Sequence, residues 1–171
     1  MDFRSLLTDI PSGFEKELYI REVGRSSGRF KSLLELSLYE KDPLAWRAAW
    51  ILDGCDEKHP GQALPHLHEI IRQLPGIRST GVIRSLLRML SRYEIPGKDQ
   101  GMLVDLCFGH MTSELYPVAI KVHAMQIIYN HVLLYPELKG ELRTVIEDQI
   151  ANNSAGFKSR GMRIIRHLEQ L

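Results

Sequence analysis

A repeat of 37 residues restricts the possible folds of this chain more than any other feature of its sequence. When the four copies are aligned, three neighbouring positions, here called columns, keep the same type of residue. The first column is large and apolar, the second is basic, and the third is small or short. The four copies read Trp46-Arg47-Ala48, Ile83-Arg84-Ser85, Ile120-Lys121-Val122 and Phe157-Lys158-Ser159. Units that recur at such a period cannot bury their apolar faces alone, so they stack on one another. The period therefore predicts a solenoid.

Helix signals cover most of the chain. Apolar residues recur at spacings of three and four, as in Val82, Ile83, Leu86, Leu87 and Leu90, which is the pattern of one helical face. The predicted helices and helical faces cover about residues 13–23, 28–40, 43–53, 63–74, 82–90, 98–111, 120–128, 137–151 and 157–168. No window alternates between apolar and polar residues as a strand does, so the fold class is predicted to be all-α.

Local residue signals mark some of the helix ends. Ser12 and Glu15 have the spacing of a capping box at the start of an early helix. Asp42 is a favourable N-cap with Pro43 at the first helical position, and Gly54 is predicted to end the same helix.

Two stretches resemble one known family of repeats. "DPLAWRAAWIL" and "YPVAIKVHAMQII" are similar to the first helix of HEAT-like, armadillo-type repeats, with a basic residue set among small and apolar ones. The resemblance implies an α-α superhelix, a short solenoid of about four helix pairs with an N-terminal helical cap. It implies a fold and not an activity.

The chain is predicted to form a single helical-repeat domain over residues 1–171. Residues 1–41 are assigned to N-terminal cap helices, residues 42–154 to helix-pair repeats, and residues 155–171 to a C-terminal capping helix.

Basic residues supply the candidate partner-binding residues. The net charge is +1, yet residues 70–93 hold five arginines and no acid. Arg84, Arg88 and Arg92 stand four residues apart, so they share one helix face and repel one another unless something negative neutralises them. The neutralising negative charge comes either from another part of the protein, such as the acidic stretch 94–114, or from a partner. With the repeat column, the candidates are Arg47, Arg84, Arg88, Arg92, Lys121 and Lys158.

Two interpretations of these cations stay open. They form a ladder for an acidic or polyanionic partner, or each covers the core edge with its aliphatic stem and pairs with a nearby carboxylate. The same alternatives apply to Arg160, Arg163, Arg166 and His167 in the last helix, which is either a solvated cap or a contact with nucleic acid or an acidic protein.

Other conspicuous residues are predicted to be structural. Trp46 and Trp50 occupy apolar columns of the repeat and are expected in the core. Cys55 and Cys107 are too few and too far apart for a disulfide framework or a zinc motif. His66 and His68 point to opposite sides of a helix, which does not suit a metal.

Function is predicted at the level of a class. No catalytic motif, cofactor site or metal site is present in the sequence, and no segment is long and apolar enough to cross a membrane. A cytoplasmic location is expected by default. The favoured hypothesis is a non-catalytic binding or scaffold module that presents a solenoid groove to a macromolecular partner, with a protein as the favoured partner. The alternative is a nucleic-acid-binding protein related to HEAT-like DNA alkylation-repair glycosylases, in which Trp46, Trp50 or Tyr129 stack on a displaced base.

Overall fold

A computed structural model describes residues 2–9 and 11–171 and confirms the all-α fold class. Within these residues there are ten α-helices and no strand. The helices are α1 Phe3–Leu6, α2 Gly13–Gly24, α3 Ser27–Tyr39, α4 Leu44–Lys58, α5 Leu67–Gln73, α6 Thr80–Leu90, α7 Gly97–Thr112, α8 Val118–Val132, α9 Lys139–Ile150 and α10 Ala155–Glu169. Short 3₁₀ turns cover Leu64–His66, Leu74–Gly76 and Pro136–Leu138.

The chain divides into two compact units. The first spans Met1–Glu94 and holds α1 to α6, and the second spans Ile95–Leu171 and holds α7 to α10. The division into terminal caps and central repeats drawn from the sequence stays a prediction.

Helix α4 is the centre of the first unit, where it packs against α2, α3 and α6. Small residues let these helices approach closely. A methyl group added at Gly54 of α4 would lie 2.6 Å from Cδ1 of Ile20 in α2, and one added at Gly81 of α6 would lie 2.9 Å from Cβ of Trp46. Fully buried side chains fill the spaces between the four helices: Val23, Phe30, Leu33, Leu34, Ala48, Ala49, Ile51, Leu52, Val82 and Leu87.

The predicted ends of α4 are partly wrong. The helix begins at Leu44, one residue later than predicted, although Asp42 still accepts a hydrogen bond from the backbone N–H of Trp46 at 3.2 Å. Gly54 does not end the helix, which continues to Lys58. Close packing against Ile20, rather than a helix stop, explains the glycine. The capping box of Ser12 and Glu15 is confirmed at the start of α2.

The second unit is organised around α8, which packs against α7, α9 and α10. The apolar columns of the repeat face its core, where these side chains are buried: Ile120, Ala124, Ile127, Ile128, Phe157, Ile164 and Leu168. Gly161 of α10 sits against α9, because a methyl group there would lie 2.8 Å from Cγ2 of Ile146. None of the helices described in residues 2–9 and 11–171 is long and apolar enough to cross a membrane.

Candidate functional site

Of the three arginines predicted to share one helix face, Arg84 and Arg88 lie in α6, whereas Arg92 lies in the turn after its end at Leu90. Carboxylates of α4 neutralise Arg88 and Arg92. Nη1 of Arg88 lies 2.6 Å from Oδ2 of Asp53, and the same guanidinium also pairs with Glu57. Nη1 of Arg92 lies 3.0 Å from Oδ1 of Asp53, and its Nη2 lies 2.7 Å from Oδ2 of Asp56. The negative group is therefore another part of the protein, but it comes from α4 and not from the acidic stretch 94–114.

Tyr93 completes this ion-pair network. Its hydroxyl donates to the carboxylate of Asp56 and accepts a hydrogen bond from the backbone N–H of Gly61 at 2.9 Å. Burial, and after it the hydrogen bond to Asp56, raises the pKa of Tyr93 to about 12. Because Asp53 and Asp56 are both buried and both paired, the network fastens α6 to α4.

The basic column of the repeat does not form one exposed surface. Arg84 and Lys158 are exposed, whereas Arg47 is half-buried and Lys121 is buried. Arg47 donates from Nη1 to the backbone carbonyls of Leu7, at 3.0 Å, and Thr8. These two placements match the interpretation in which a cation covers the edge of the core.

Lys121 lies at the edge of a cleft in the second unit. Its Nζ donates to Oε1 of Gln149 at 3.1 Å, and the amide of Gln149 donates to the carbonyl of Met111 at 2.8 Å. The cleft has a volume of about 510 Å³ and is also lined by Glu114 and Asp148. With two carboxylates and one ammonium in its wall, it is not a site for a simple anion.

The two tryptophans lie partly exposed on the surface of the first unit, so the prediction that both are core residues is wrong. Their ring centroids are 6.5 Å apart. Nζ of Lys16 lies 4.2 Å from the ring centroid of Trp50, and the guanidinium of Arg47 lies 5.6 Å from that of Trp46. We call these four residues the tryptophan face. A cation over each ring holds the aromatic pair in place while leaving part of it open to solvent.

A second cationic surface lies where α10 packs against α8. Arg160 is half-buried, and its Nη1 donates to Oε1 of Gln126 at 2.7 Å. Nε2 of Gln126 in turn donates to Oδ1 of Asn130 at 2.9 Å. Burial lowers the pKa of Arg160, and the neighbouring charge of Arg163 lowers it further. Arg163 and Arg166 are exposed on the side of α10 away from its buried apolar residues, and His167 is exposed at the edge that faces Tyr129 of α8.

Comparison with known proteins identifies the family. A family model described as HEAT repeat domain matches residues 8–168, which is nearly the whole chain. The chain belongs to the HEAT repeat domain family. Searches of curated proteins and of solved structures found no significant match.

HEAT repeats generally form non-catalytic helical scaffolds and commonly mediate protein interactions. In this HEAT repeat chain, the described residues contain no group of three or more histidine, cysteine or acidic side chains that could hold a metal ion. His66 instead stacks on Phe30 with ring centroids 6.1 Å apart. Burial raises the pKa of Cys55 to about 12 and also raises that of Cys107, so both thiols stay protonated at neutral pH.

Sequence reasoning missed the acids that neutralise Arg88 and Arg92. Asp53, Asp56 and Glu57 lie on α4, about one repeat before Arg88 and Arg92, which is a separation that stacked repeats bring together. A comparison of charges one period apart could therefore have found them. Nothing in the sequence places Lys16 over Trp50, because that contact depends on how α2 crosses α4.

Proposed function

We propose that the chain is a non-catalytic binding module whose partner is a protein, and that the tryptophan face is a contact surface for that partner. The observation that carries the proposal is the pair Trp46 and Trp50, half-buried side by side with a cation over each ring. Tryptophan and arginine are the residues most enriched at the energetic centres of protein interfaces.

The chemistry of the face suits a protein surface with both apolar and acidic groups. The indole rings provide apolar area that is held rigid before binding, which reduces the conformational entropy lost in a complex. Lys16 and Arg47 provide positive charge at the rim, where an acidic side chain of the partner improves specificity and the association rate. Arg84 is exposed on the adjacent helix α6 and adds a further candidate cation.

The ion pairs of α6 favour a protein over a nucleic acid. Arg88 and Arg92 are candidate partner-binding residues by sequence, but their charges are balanced by Asp53, Asp56 and Glu57. Binding to a phosphate backbone depends on several uncompensated cations. Of the three arginines, this leaves Arg84 as a cation without an ion pair in the described residues.

The nucleic-acid alternative keeps one supporting observation. Burial of both tryptophans between helices would have prevented stacking on a base, and neither is buried in that way. It predicts that labelled single- or double-stranded DNA or RNA binds the chain, that salt weakens the binding steeply, and that Arg84→Ala weakens it further. A fluorescence-anisotropy titration at two salt concentrations separates this alternative from the protein-binding proposal, which predicts no binding.

The protein-binding proposal is tested by affinity capture from native extract with quantitative mass spectrometry. Trp50→Ala should lower recovery of a genuine partner about tenfold, because one anchor tryptophan contributes on that scale. Lys16→Ala should lower recovery less. Tyr39→Ala and Lys31→Ala are matched controls, since they remove an exposed aromatic and an exposed lysine from α3 of the same unit. Equal recovery by Trp50→Ala and the wild type would contradict the proposal.

A further inference from the structure

Arginines at corresponding positions of two helix pairs have different partners in the two units. In the first unit, α6 lies against α4, and Arg88 of α6 and Arg92 in the turn after it both meet carboxylates. In the second unit, α10 lies against α8, and Arg160 meets the side-chain amide of Gln126 instead. The separations along the chain are nearly equal, 35 residues for Arg88 with Asp53 and 34 for Arg160 with Gln126. The helix pairs therefore correspond, but the second has amides where the first has acids.

The positive charge on α10 is consequently not balanced within its unit. No carboxylate of the described residues forms an ion pair with Arg160 or Arg163, although the two arginines are one helical turn apart and repel each other. Arg160 is also half-buried, and partial removal from water disfavours an unpaired charge. The lowered pKa of Arg160 has these same two causes, burial and the charge of Arg163. An anion bound at this position would relieve both.

The polar groups around the two arginines are arranged for a specific contact. Arg160 donates to Gln126, and Gln126 donates to Asn130, so the guanidinium is held in one orientation by a chain of amides. The rings of Tyr129 and His167, with centroids 6.0 Å apart, lie one to two turns further along the same two helices. Orientation of a guanidinium in advance favours a planar, two-oxygen acceptor.

We propose that Arg160 and Arg163 bind a side-chain carboxylate from an acidic segment of the partner protein. This inference rests on the proposed function, in which the partner is a protein, and it adds a second contact point in the second unit. Arg166 and Lys158 add exposed cations on the same helix, but residues 95–171 carry eight basic and eight acidic residues, so the second unit has no net positive charge. A domain that binds a phosphate backbone is usually strongly basic overall, so a single carboxylate held by Arg160 and Arg163 is the better match for a unit without net charge.

The test is an NMR titration of the full-length chain with hexaglutamate at about 0.15 M salt, a concentration that screens weak nonspecific attraction. The Nε–Hε signals of individual arginines report binding directly. We expect the signals of Arg160 and Arg163 to move with the same saturable dependence on peptide concentration. The signals of Arg88 and Arg92 should not move, because both guanidinium groups are already paired with Asp53 and Asp56.

Substitutions make the test independent of signal assignment. Arg163→Gln removes an exposed charge without disturbing the core and should weaken hexaglutamate binding about tenfold, the scale of one charge-assisted hydrogen bond. Arg163→Lys should recover part of the loss. Arg143→Gln is the matched control, since Arg143 pairs with Glu147 and Glu169, and it should leave binding unchanged.

Three results would overturn the inference: no saturable shift at Arg160 and Arg163, equal weakening by Arg163→Gln and Arg143→Gln, or tighter binding of a thymidine oligonucleotide than of hexaglutamate at these arginines. The last result would assign the site to nucleic acid. Failure of the inference is distinguishable from failure of the proposed function. Loss of partner capture in Trp50→Ala tests the tryptophan face, and hexaglutamate binding to α10 tests this site alone.

Discussion

Nη2 of Arg92 lies 2.7 Å from Oδ2 of Asp56, and the Asp56 side chain is only 1% exposed to solvent. The carboxylate also accepts a hydrogen bond from Tyr93, and the guanidinium also reaches Asp53 at 3.0 Å. A charge buried so deeply is tolerated only because these partners replace the water that it has lost. The pair therefore fastens the turn after α6 to α4, beside the ion pairs that Arg88 makes with the same helix.

Arg92→Met should destabilise the first unit by about 3 kcal/mol, because it leaves Asp56 buried without its cation. Both tryptophans of the chain lie in this unit, so urea denaturation followed by tryptophan fluorescence reports its unfolding. Arg25→Met is the control. It removes an exposed ion pair with Glu22, and pairs of this kind contribute little. Equal losses in the two variants would show that the buried network is not what fastens the helices.

Gly81→Ala should destabilise the same unit. The added methyl group would lie 2.9 Å from Cβ of Trp46, and a Cβ cannot move away by rotating its side chain. The overpacking outweighs the better helix propensity of alanine, for a net loss of about 1 kcal/mol. Gly101→Ala provides the matched control, because Gly101 is exposed within α7 and a methyl group there meets nothing within 4 Å. That variant should be about 0.5–1 kcal/mol more stable than the wild type. Thermal unfolding followed by circular dichroism measures both, and the same sign in the two variants would contradict the packing argument.

His110 should make the stability of the second unit depend on pH. It is buried with its ring edge-to-face against Tyr116, centroids 4.4 Å apart, and burial lowers its pKa in the folded state. Below a pH of about 6.5 the unfolded chain therefore binds the proton more readily than the folded chain, and the free energy of unfolding decreases as the pH falls. This one group contributes a slope of at most about 1.4 kcal/mol per pH unit.

The variant His110→Gln isolates that contribution. Its free energy of unfolding should fall less steeply than that of the wild type between pH 6.5 and the folded-state pKa. The difference between the two proteins at pH 8, where His110 is neutral in both states, measures packing alone. Identical slopes below pH 6.5 would rule out His110 as the titrating group.

The two cysteines should be unreactive while the chain is folded. Cys55 and Cys107 are fully buried, and burial raises the pKa of both thiols, that of Cys55 to about 12. A thiol reagent at pH 8 attacks the thiolate, so we expect almost no labelling of the folded chain and two labelled thiols in guanidinium. Rapid labelling of either cysteine without denaturant would contradict its burial.

The repeat was visible in the sequence because it reflects packing that every unit shares. Ile83, Ile120 and Phe157 were predicted to face the core, and all three are buried. Trp46 belongs to the same column but is half exposed, because Gly81 brings α6 close to its Cβ and the large indole extends past the buried space. The prediction failed where a side chain was too large for the position that the repeat assigns to it.

For the candidate cations too, the sequence predicted the helix positions, and the packing of the helices decided their partners. Spacing placed Arg84, Arg88 and Arg92 on one face of a helix, which is correct for Arg84 and Arg88 and wrong for Arg92, because α6 ends at Leu90 and Arg92 lies in the turn after it. Which of them are neutralised depended on α4, whose acids reach Arg88 and Arg92 and not Arg84. On α10 the equivalent arginine meets the amide of Gln126.

The sequence by itself determined the all-α class, the repeat, all helices except the short α1, and most of the buried apolar residues, because helix periodicity and burial are expressed in the spacing of side chains along the chain. Only the tertiary structure decided which charges are balanced internally, which aromatic rings reach the surface, and that Arg160 and Arg163 of α10 have no carboxylate partner among residues 2–9 and 11–171. Those properties depend on the register between packed helices, where a shift of one residue changes the partner of every side chain.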